Sequence, residues 1–494
     1  MEVRIIGKIK PLDEFLREQP QENSSDGYPK EGNKGDSLFE WTGHPFVDAG
    51  LVALLLLSKK RSPEKLTEEN VEKAIEFAST LYARKEWSTG YIHAMMLPNS
   101  GILMANPSMS KKRTPDAIAQ NLRELLQEPE DPNAPICEIC GRRHSRPKPV
   151  YRSDFPLVGT GGVPNYFPSA KDGLNVCFHC LFLVQFLPLI AYKVGGRVLV
   201  IHTYPYELML ELHEEAINDV RKSFLASKAR DFKRPENFFF RLLGELTRKT
   251  ERDDLWGKAS ITLYHFVNNN QGQDLQIIHV PTPVLRFISH ASKEDPKGWK
   301  SIVAMGWRKR PSEEDFEKYE RSYANEVYAR LLAEESILPY FIDIKNRHAN
   351  AKWSLLAFYC LEVLGLDKEA LEFIKDVGDR IVETLEKLPD NQLSRRVREL
   401  ERAEKLYQFE TFFVNLEKLR QRLGIEKPLM TFDEFATVLT SYGEDLNVSW
   451  RTVKHLLLFR VYERLHDRLM KASEEGEEVE ENEEVGIFGM GVEE

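Results

Sequence analysis

The chain has 494 residues, 42% hydrophobic and 30% charged, with a formal net charge of −10. This describes a soluble globular protein too long for one ordinary domain of roughly 100 to 200 residues, so two or three domains are expected. The acidity does not exclude a nucleic-acid partner, because the segment 473–494 alone carries ten glutamates and no Lys or Arg, leaving the remainder neutral.

At the start, MEVRIIGKIK alternates like a short strand and lacks signal-peptide architecture, which implies a cytoplasmic protein. A polar stretch, QPQENSSDGYPKEGNKGDS, follows as a loop or lid. FEWTGHPFVDAGLVALLLLSKK then opens a helix near Pro45 and Asp48 that is apolar on nearly every side, as a core helix must be. Residues 67–84 form an amphipathic helix with Thr67 as N-cap, and Val71, Ala74, Ile75, Ala78, Leu81 and Tyr82 fall at helical spacing. YIHAMMLPNSGILMANP reads as two short strands about a Pro-Asn-Ser-Gly turn, and TPDAIAQNLRELLQE as a helix with Pro115 at its first position.

Four of the five cysteines come next, as Cys137-x-x-Cys140 and Cys177-x-x-Cys180. Each pair places two thiolates on one small turn, and four thiolates satisfy a tetrahedral Zn²⁺, so the pairs read as a structural zinc site. Redox C-x-x-C chemistry and disulfides are the rivals. His144 and His179 read as bystanders, and Cys360, on an apolar helical face, as core. Four cysteines leave the metal no open position, so attention moves to the insert. From Ile139 to Ser153 it has no acid but carries Arg142, Arg143, Arg146, Lys148 and Arg152, and further on Asn165 among glycines and aromatics. Cations interleaved with aromatics suit a nucleic-acid backbone and its bases; a solvated loop is the plainer alternative. Asn99, Ser100, Asn106 and Ser108 beside Lys111, Lys112 and Arg113 offer a second candidate surface, against an ordinary turn.

The most apolar run, residues 181–192, has about a dozen residues against the roughly 20 that cross a bilayer, so it is core and no membrane partner is expected. Strand GGRVLVIHTY, helices near 206–228 and 235–250, and the hairpin ITLYHFVNNNQGQDLQIIHV complete a mixed region. Beyond about residue 345 only helical periodicity remains. The fold class is therefore α+β: a mixed N-terminal domain (1–133 and 181–345) with an inserted zinc-ribbon-like four-cysteine module (134–180), a C-terminal α-helical bundle (346–472) and an acidic disordered tail (473–494).

No catalytic set assembles. GTGG lacks the Lys-Ser/Thr of a P-loop, no G-x-S-x-G is present, HEEAI lacks the second histidine of a zincin, and His466-Asp467 lacks further ligands. This favours a binding subunit over an enzyme.

The order of FEWTGHPFVDAG, an apolar helix, two distant C-x-x-C pairs and HFVNNNQGQDLQI resembles the CXXC-CXXC large subunit of type I CRISPR Cascade complexes, best over the first 280 residues. The resemblance implies a subunit at the foot of a guide-RNA complex that holds the guide 5′ end and senses the protospacer-adjacent motif on target double-stranded DNA. It also implies R-loop stabilisation and recruitment of the helicase-nuclease, with no nuclease activity of its own. The implied partners are the guide RNA, the target duplex, the helicase-nuclease and the other Cascade subunits: backbone, 5′-end-capping and small. A nucleic-acid-binding zinc protein outside CRISPR, or a metal-dependent nuclease, are the other readings.

Overall fold

The computed structural model describes residues 37–127, 131–160, 172–249, 256–440 and 446–487. The expected first strand, the polar lid and Asn165 lie outside the described residues.

Helix α1 (Pro45–Leu57) is buried at every residue from Phe46 to Leu56, as its uniform apolarity requires. It starts where His44 Nδ1 accepts from Phe46 N at 3.3 Å. Helix α2 (Glu68–Tyr82) is closed by the expected Thr67, which forms a capping box with Asn70. Helix α3 (Pro115–Gln127) is capped by Thr114, whose hydroxyl accepts from Ala117 N at 3.1 Å. Arg123 of α3 bonds to Glu72 of α2 at 3.0 Å.

The segment expected as two strands is different. Residues Ser88–Met96 form a wide helical turn and then reverse through Pro98–Met104, because coiling lets Tyr91, Ile92 and Met96 all turn into the core. A pleated strand would have sent alternate residues to solvent.

Helix α4 (Phe178–Val184) lies against α1 so closely that a Cβ on Gly50 would sit 1.8 Å from the Leu183 carbonyl oxygen. Strands β1 (Tyr192–Val194), β2 (Arg197–Tyr204), β3 (Ser260–Asn269) and β4 (Gly272–Val280) form an antiparallel sheet in that order. Its period-two alternation feeds two cores. Leu199, Ile201, Ile261 and Leu263 face one, while Val198, Val200 and Phe266 face the other. Helix α5 (Tyr206–Ser223) contributes to both, with Leu208 and Leu212 on one side and Met209 and Val220 on the other.

The second core holds α1 to α4 and the cysteine module. The first continues through α6 (Pro235–Lys249) into the C-terminal helices as far as Leu469, so the helical region expected from residue 346 shares its apolar interior with the sheet. That region is helical as the periodicity indicates, after a two-residue ribbon pairing Ile342 with Ala349. The last helix runs Leu446–Ile487 without a break in its backbone. The acidic segment, expected to be disordered, is thus helical as far as Ile487. Glutamate is a good helix former, and a helix already nucleated upstream propagates at low cost. No helix among the described residues is long and apolar enough to cross a membrane.

Candidate metal centre and nucleic-acid interface

The four-cysteine module is laced together by backbone pairing. Cys137 N donates to Arg143 O at 2.8 Å and Gly141 N to Cys137 O at 2.9 Å, which bends the first pair into a tight knuckle. Gly141 sits there at φ +65°, a conformation that glycine adopts without the Cβ penalty. The second pair opens α4, where Cys177 is the N-cap and its sulfur accepts from Cys180 N at 3.5 Å. Amide bonds between Val150 and Leu174, at 2.9 and 3.0 Å, clamp the base of the insert.

These elements bring the sulfurs of Cys137, Cys140, Cys177 and Cys180 within 4.8 Å of one another. A tetrahedral ion with metal–sulfur bonds of about 2.3 Å sets its sulfurs about 3.8 Å apart, and Cys140 and Cys177 stand at 3.9 Å. Hydrogen bonds from Cys137, then Cys177 and Cys180, hold the Cys140 thiol far below its ordinary range. The same contacts with Cys137, Cys140 and Cys177, reinforced by burial, push Cys180 far above it. One thiolate thus opposes ionisation of its neighbours, and a bound cation is what would let all four ionise together. Donor set and spacing therefore fit a metal ion.

His144 stands aside from the sulfurs, its Nδ1 2.9 Å from Ala134 O, and His179 packs edge-on against Phe39. Cys360 is fully buried among the helices, where burial pushes its thiol up. His213 is also buried, its ring nitrogens 3.2 and 2.8 Å from the carbonyls of Ile190 and Ile201. His466 Nδ1 lies 3.0 Å from Arg347 O.

The basic insert divides by what each cation touches. Arg142 pairs with Glu40 and reaches the Trp41 carbonyl, stapling the module to the segment before α1. Arg143 is half-buried, and its carbonyl closes the knuckle. Arg146 lies over the Phe178 ring at 5.3 Å. Lys148 is exposed. Arg152 turns to the β3–β4 hairpin, donating to Asn269 O at 3.4 Å and Asn270 Oδ1 at 3.5 Å.

Asn99 reaches the same atom. It is exposed, at φ +63°, and its side-chain amide donates to Asn270 Oδ1 at 3.0 Å. Beneath them the buried Asn268 donates to Met96 O at 2.6 Å and Arg152 O at 3.2 Å, and Gln273 donates to Val158 O at 3.0 Å. The Asn-rich hairpin tip thereby locks the Asn99 loop to the base of the insert. Sequence reasoning left Asn268, Asn269 and Asn270 out of the candidate residues; the signal that could have found them is the run of three asparagines at the tip.

The remaining candidates separate in the same way. Ser100 is fully buried and its hydroxyl accepts from Leu103 N at 3.1 Å, so it is not on the surface where base contact was expected. Arg113 donates to Met104 O at 2.8 Å and Asn106 O at 3.0 Å, tying the loop internally. Asn106 caps a short turn, accepting from Ser108 N at 2.9 Å and the Ser108 hydroxyl at 2.8 Å. Lys111 and Lys112 are exposed.

The FEWTGHPFVDAG stretch also acquires a physical account. Asp48, fully buried, accepts from Thr42 N and Thr42 Oγ1 at 2.8 Å and from Gly43 N at 2.9 Å, with His202 Nε2 at 3.3 Å. It ties the segment entering α1 to strand β2.

Residues 130–192, which hold both cysteine pairs, the insert and α4, match the family model described as CRISPR-associated protein (Cas_CXXC_CXXC). No curated protein and no solved structure matches the chain.

Proposed function

From the premise that the chain is a CRISPR-associated protein of the CXXC-CXXC family, carried by residues 130–192, we propose that it is the large subunit of a type I guide-RNA surveillance complex. In such systems base pairing reads the target, while protein reads a short adjacent motif in the duplex and steadies the displaced strand. The chain would hold the guide 5′ end, sense that motif, stabilise the R-loop and help recruit the helicase-nuclease. Its work would be binding in the cytoplasm, not catalysis, beside the backbone, 5′-end-capping and small subunits.

The observation that carries this reading is the meeting of Asn99 and Arg152 on Asn270. An asparagine amide pairs a donor and an acceptor with a base edge, and a guanidinium contacts phosphate or guanine, so one rigid patch offers both kinds of contact. Lys111, Lys112 and Lys148 supply cations for backbone phosphates. The metal is assigned as Zn²⁺, which favours a closed four-thiolate set and, when bound, fixes the fold without offering a coordination site for reaction.

The test is co-expression with partner subunits and a guide. A complex containing this chain and a short RNA, binding duplex targets more tightly when the adjacent motif is intact, is the expected result. A chain that recruits no RNA, or a complex indifferent to the motif, would refute the proposal.

A further inference from the structure

A second basic site lies away from the cysteine module. A cavity of about 570 Å³ is lined by Lys193, Lys228, Lys233 and Arg234, with Gly195 and Gly196 at its edge and Asp231 as the acidic residue in its wall. Among the described residues none of the four cations has an acidic partner within ion-pair distance. Lys228, Lys233 and Arg234 are exposed and Lys193 is half-buried. Elsewhere in this chain arginines and lysines are commonly paired with acids, as Arg241 is with Glu245 and Arg330 with Glu326. Four cations gathered around one acid repel one another until an anion joins them.

The backbone holds them there. Ala229 and Asp231 both adopt positive φ, +45° and +62°, within one short turn. That conformation is unfavourable for side chains other than glycine, and such outliers gather at functional sites. Across the cavity Gly195 at φ +57° donates to Phe232 O at 2.9 Å, and a Cβ there would meet Lys233 O at 2.5 Å. The β1–β2 turn and the segment bearing the cations are thereby fixed to each other. Lys233 N donates in turn to Arg321 O at 2.8 Å.

The sheet register supplies a direction. Val194 pairs with Arg197, Val198 with Phe266, and Asn269 with Gly272. The Gly195–Gly196 turn and the Asn270 turn therefore emerge at the same end of the sheet, two strand spacings or about 10 Å apart across it, with the Asn270 turn about two residues further along the strands. That separation is comparable to the roughly 12 Å width of a duplex major groove. We propose that the Lys193, Lys228, Lys233 and Arg234 cavity binds the phosphate backbone of the same duplex DNA whose bases face Asn99 and Asn270. The inference rests on the reading under Proposed function and adds to it a sequence-independent grip beside the base-reading patch.

The experiment uses the full chain with its Lys228→Glu, Lys233→Glu, Arg234→Glu variant, titrated against duplex DNA over a series of salt concentrations. These side chains are exposed, so melting should be unchanged; a Gln triple variant repeats the measurement without charge reversal. The expected result is weaker binding to every duplex sequence, and a log–log salt slope flatter by about 0.9 for each phosphate no longer neutralised. Unchanged affinity and slope in both variants, with the wild type binding well, would overturn the cavity assignment alone. A wild type that binds no duplex even at low salt would remove the functional reading and the cavity with it. Loss confined to single-stranded RNA, or loss of tripolyphosphate binding with duplex binding intact, would assign the cavity to another polyanion and overturn the proposal.

Discussion

Asn99 and Asn270, 171 residues apart in sequence, are joined side chain to side chain at 3.0 Å, and Arg152 donates to the same Asn270 oxygen. Neither asparagine is positioned by its own loop alone. If this patch reads the adjacent motif, Asn99→Ala and Asn270→Ala should each narrow the affinity gap between intact and altered motifs by roughly 1–3 kcal/mol. The two effects should not add, because the side chains share one hydrogen bond. Additive effects in a competition assay, or none, would separate the pair from recognition.

Gly50 faces the Leu183 carbonyl with no room for a methyl group. Helix propensity alone says that Gly→Ala within α1 gains about 1 kcal/mol. The close approach reverses the sign, and Gly50→Ala should cost about 1–3 kcal/mol of stability as α1 and α4 are forced apart. Because α4 carries Cys180, metal retention in the presence of a chelator should weaken in parallel. Chemical denaturation with and without chelator checks both.

Removal of the metal should act on the whole module. A Cys137→Ser, Cys177→Ser variant takes one sulfur from each turn. Binding free energy at such sites is folding free energy, so melting should fall by far more than a surface substitution would produce. Elemental analysis of the wild type should give one zinc per chain. Substoichiometric metal in carefully prepared protein, or an unshifted melting curve in the variant, would contradict the assignment.

Much of this was legible from sequence because it is local. The cysteine pairs are closed by their own turns, Thr67 caps its own helix, and the β3–β4 hairpin is announced by its own alternation. The candidate surface depends on distant partners. Asn268 is buried because Met96 and Arg152, 172 and 116 residues away, present carbonyls to it, and no periodicity reports that. Ser100 looks like a turn residue until Leu103 N takes its hydroxyl. The Tyr91 to Met96 run is short and apolar, a pattern that pleat and coil share, and packing against strands β2 and β3 decides it.

Acid should destabilise the protein through His213. Burial holds this imidazole neutral, lowering its pKa from 6.5 to about 4 despite two carbonyl acceptors. Between those values the unfolded chain binds a proton that the folded chain refuses, so the unfolded state binds more protons and stability falls as pH falls. Over the whole window the loss is about 3 kcal/mol. His213→Gln should flatten the stability–pH profile between pH 6.5 and 4, whatever it costs at pH 8. A slope equal to the wild type's would assign acid sensitivity elsewhere.

The cations of the cysteine insert should separate into those that hold the module and those that meet a phosphate. Arg146 is half-buried over Phe178, so Arg146→Ala should lower stability by about 1 kcal/mol as the stacking and the packing of its stem disappear. Arg142 and Glu40 both stand more than half exposed, and such a pair contributes about 0–1 kcal/mol, so Arg142→Ala should cost less. Lys148 is exposed, and Lys148→Ala should leave melting unchanged. If Lys148 meets a phosphate, its removal should flatten the log–log salt dependence of duplex binding by about 0.9. The preference for an intact adjacent motif should stay as it was, since phosphates carry no sequence. Melting and salt-titrated binding on the three single variants separate these outcomes. A Lys148 variant that loses motif preference, or an Arg146 variant that melts like the wild type while the salt slope collapses, would exchange the two roles.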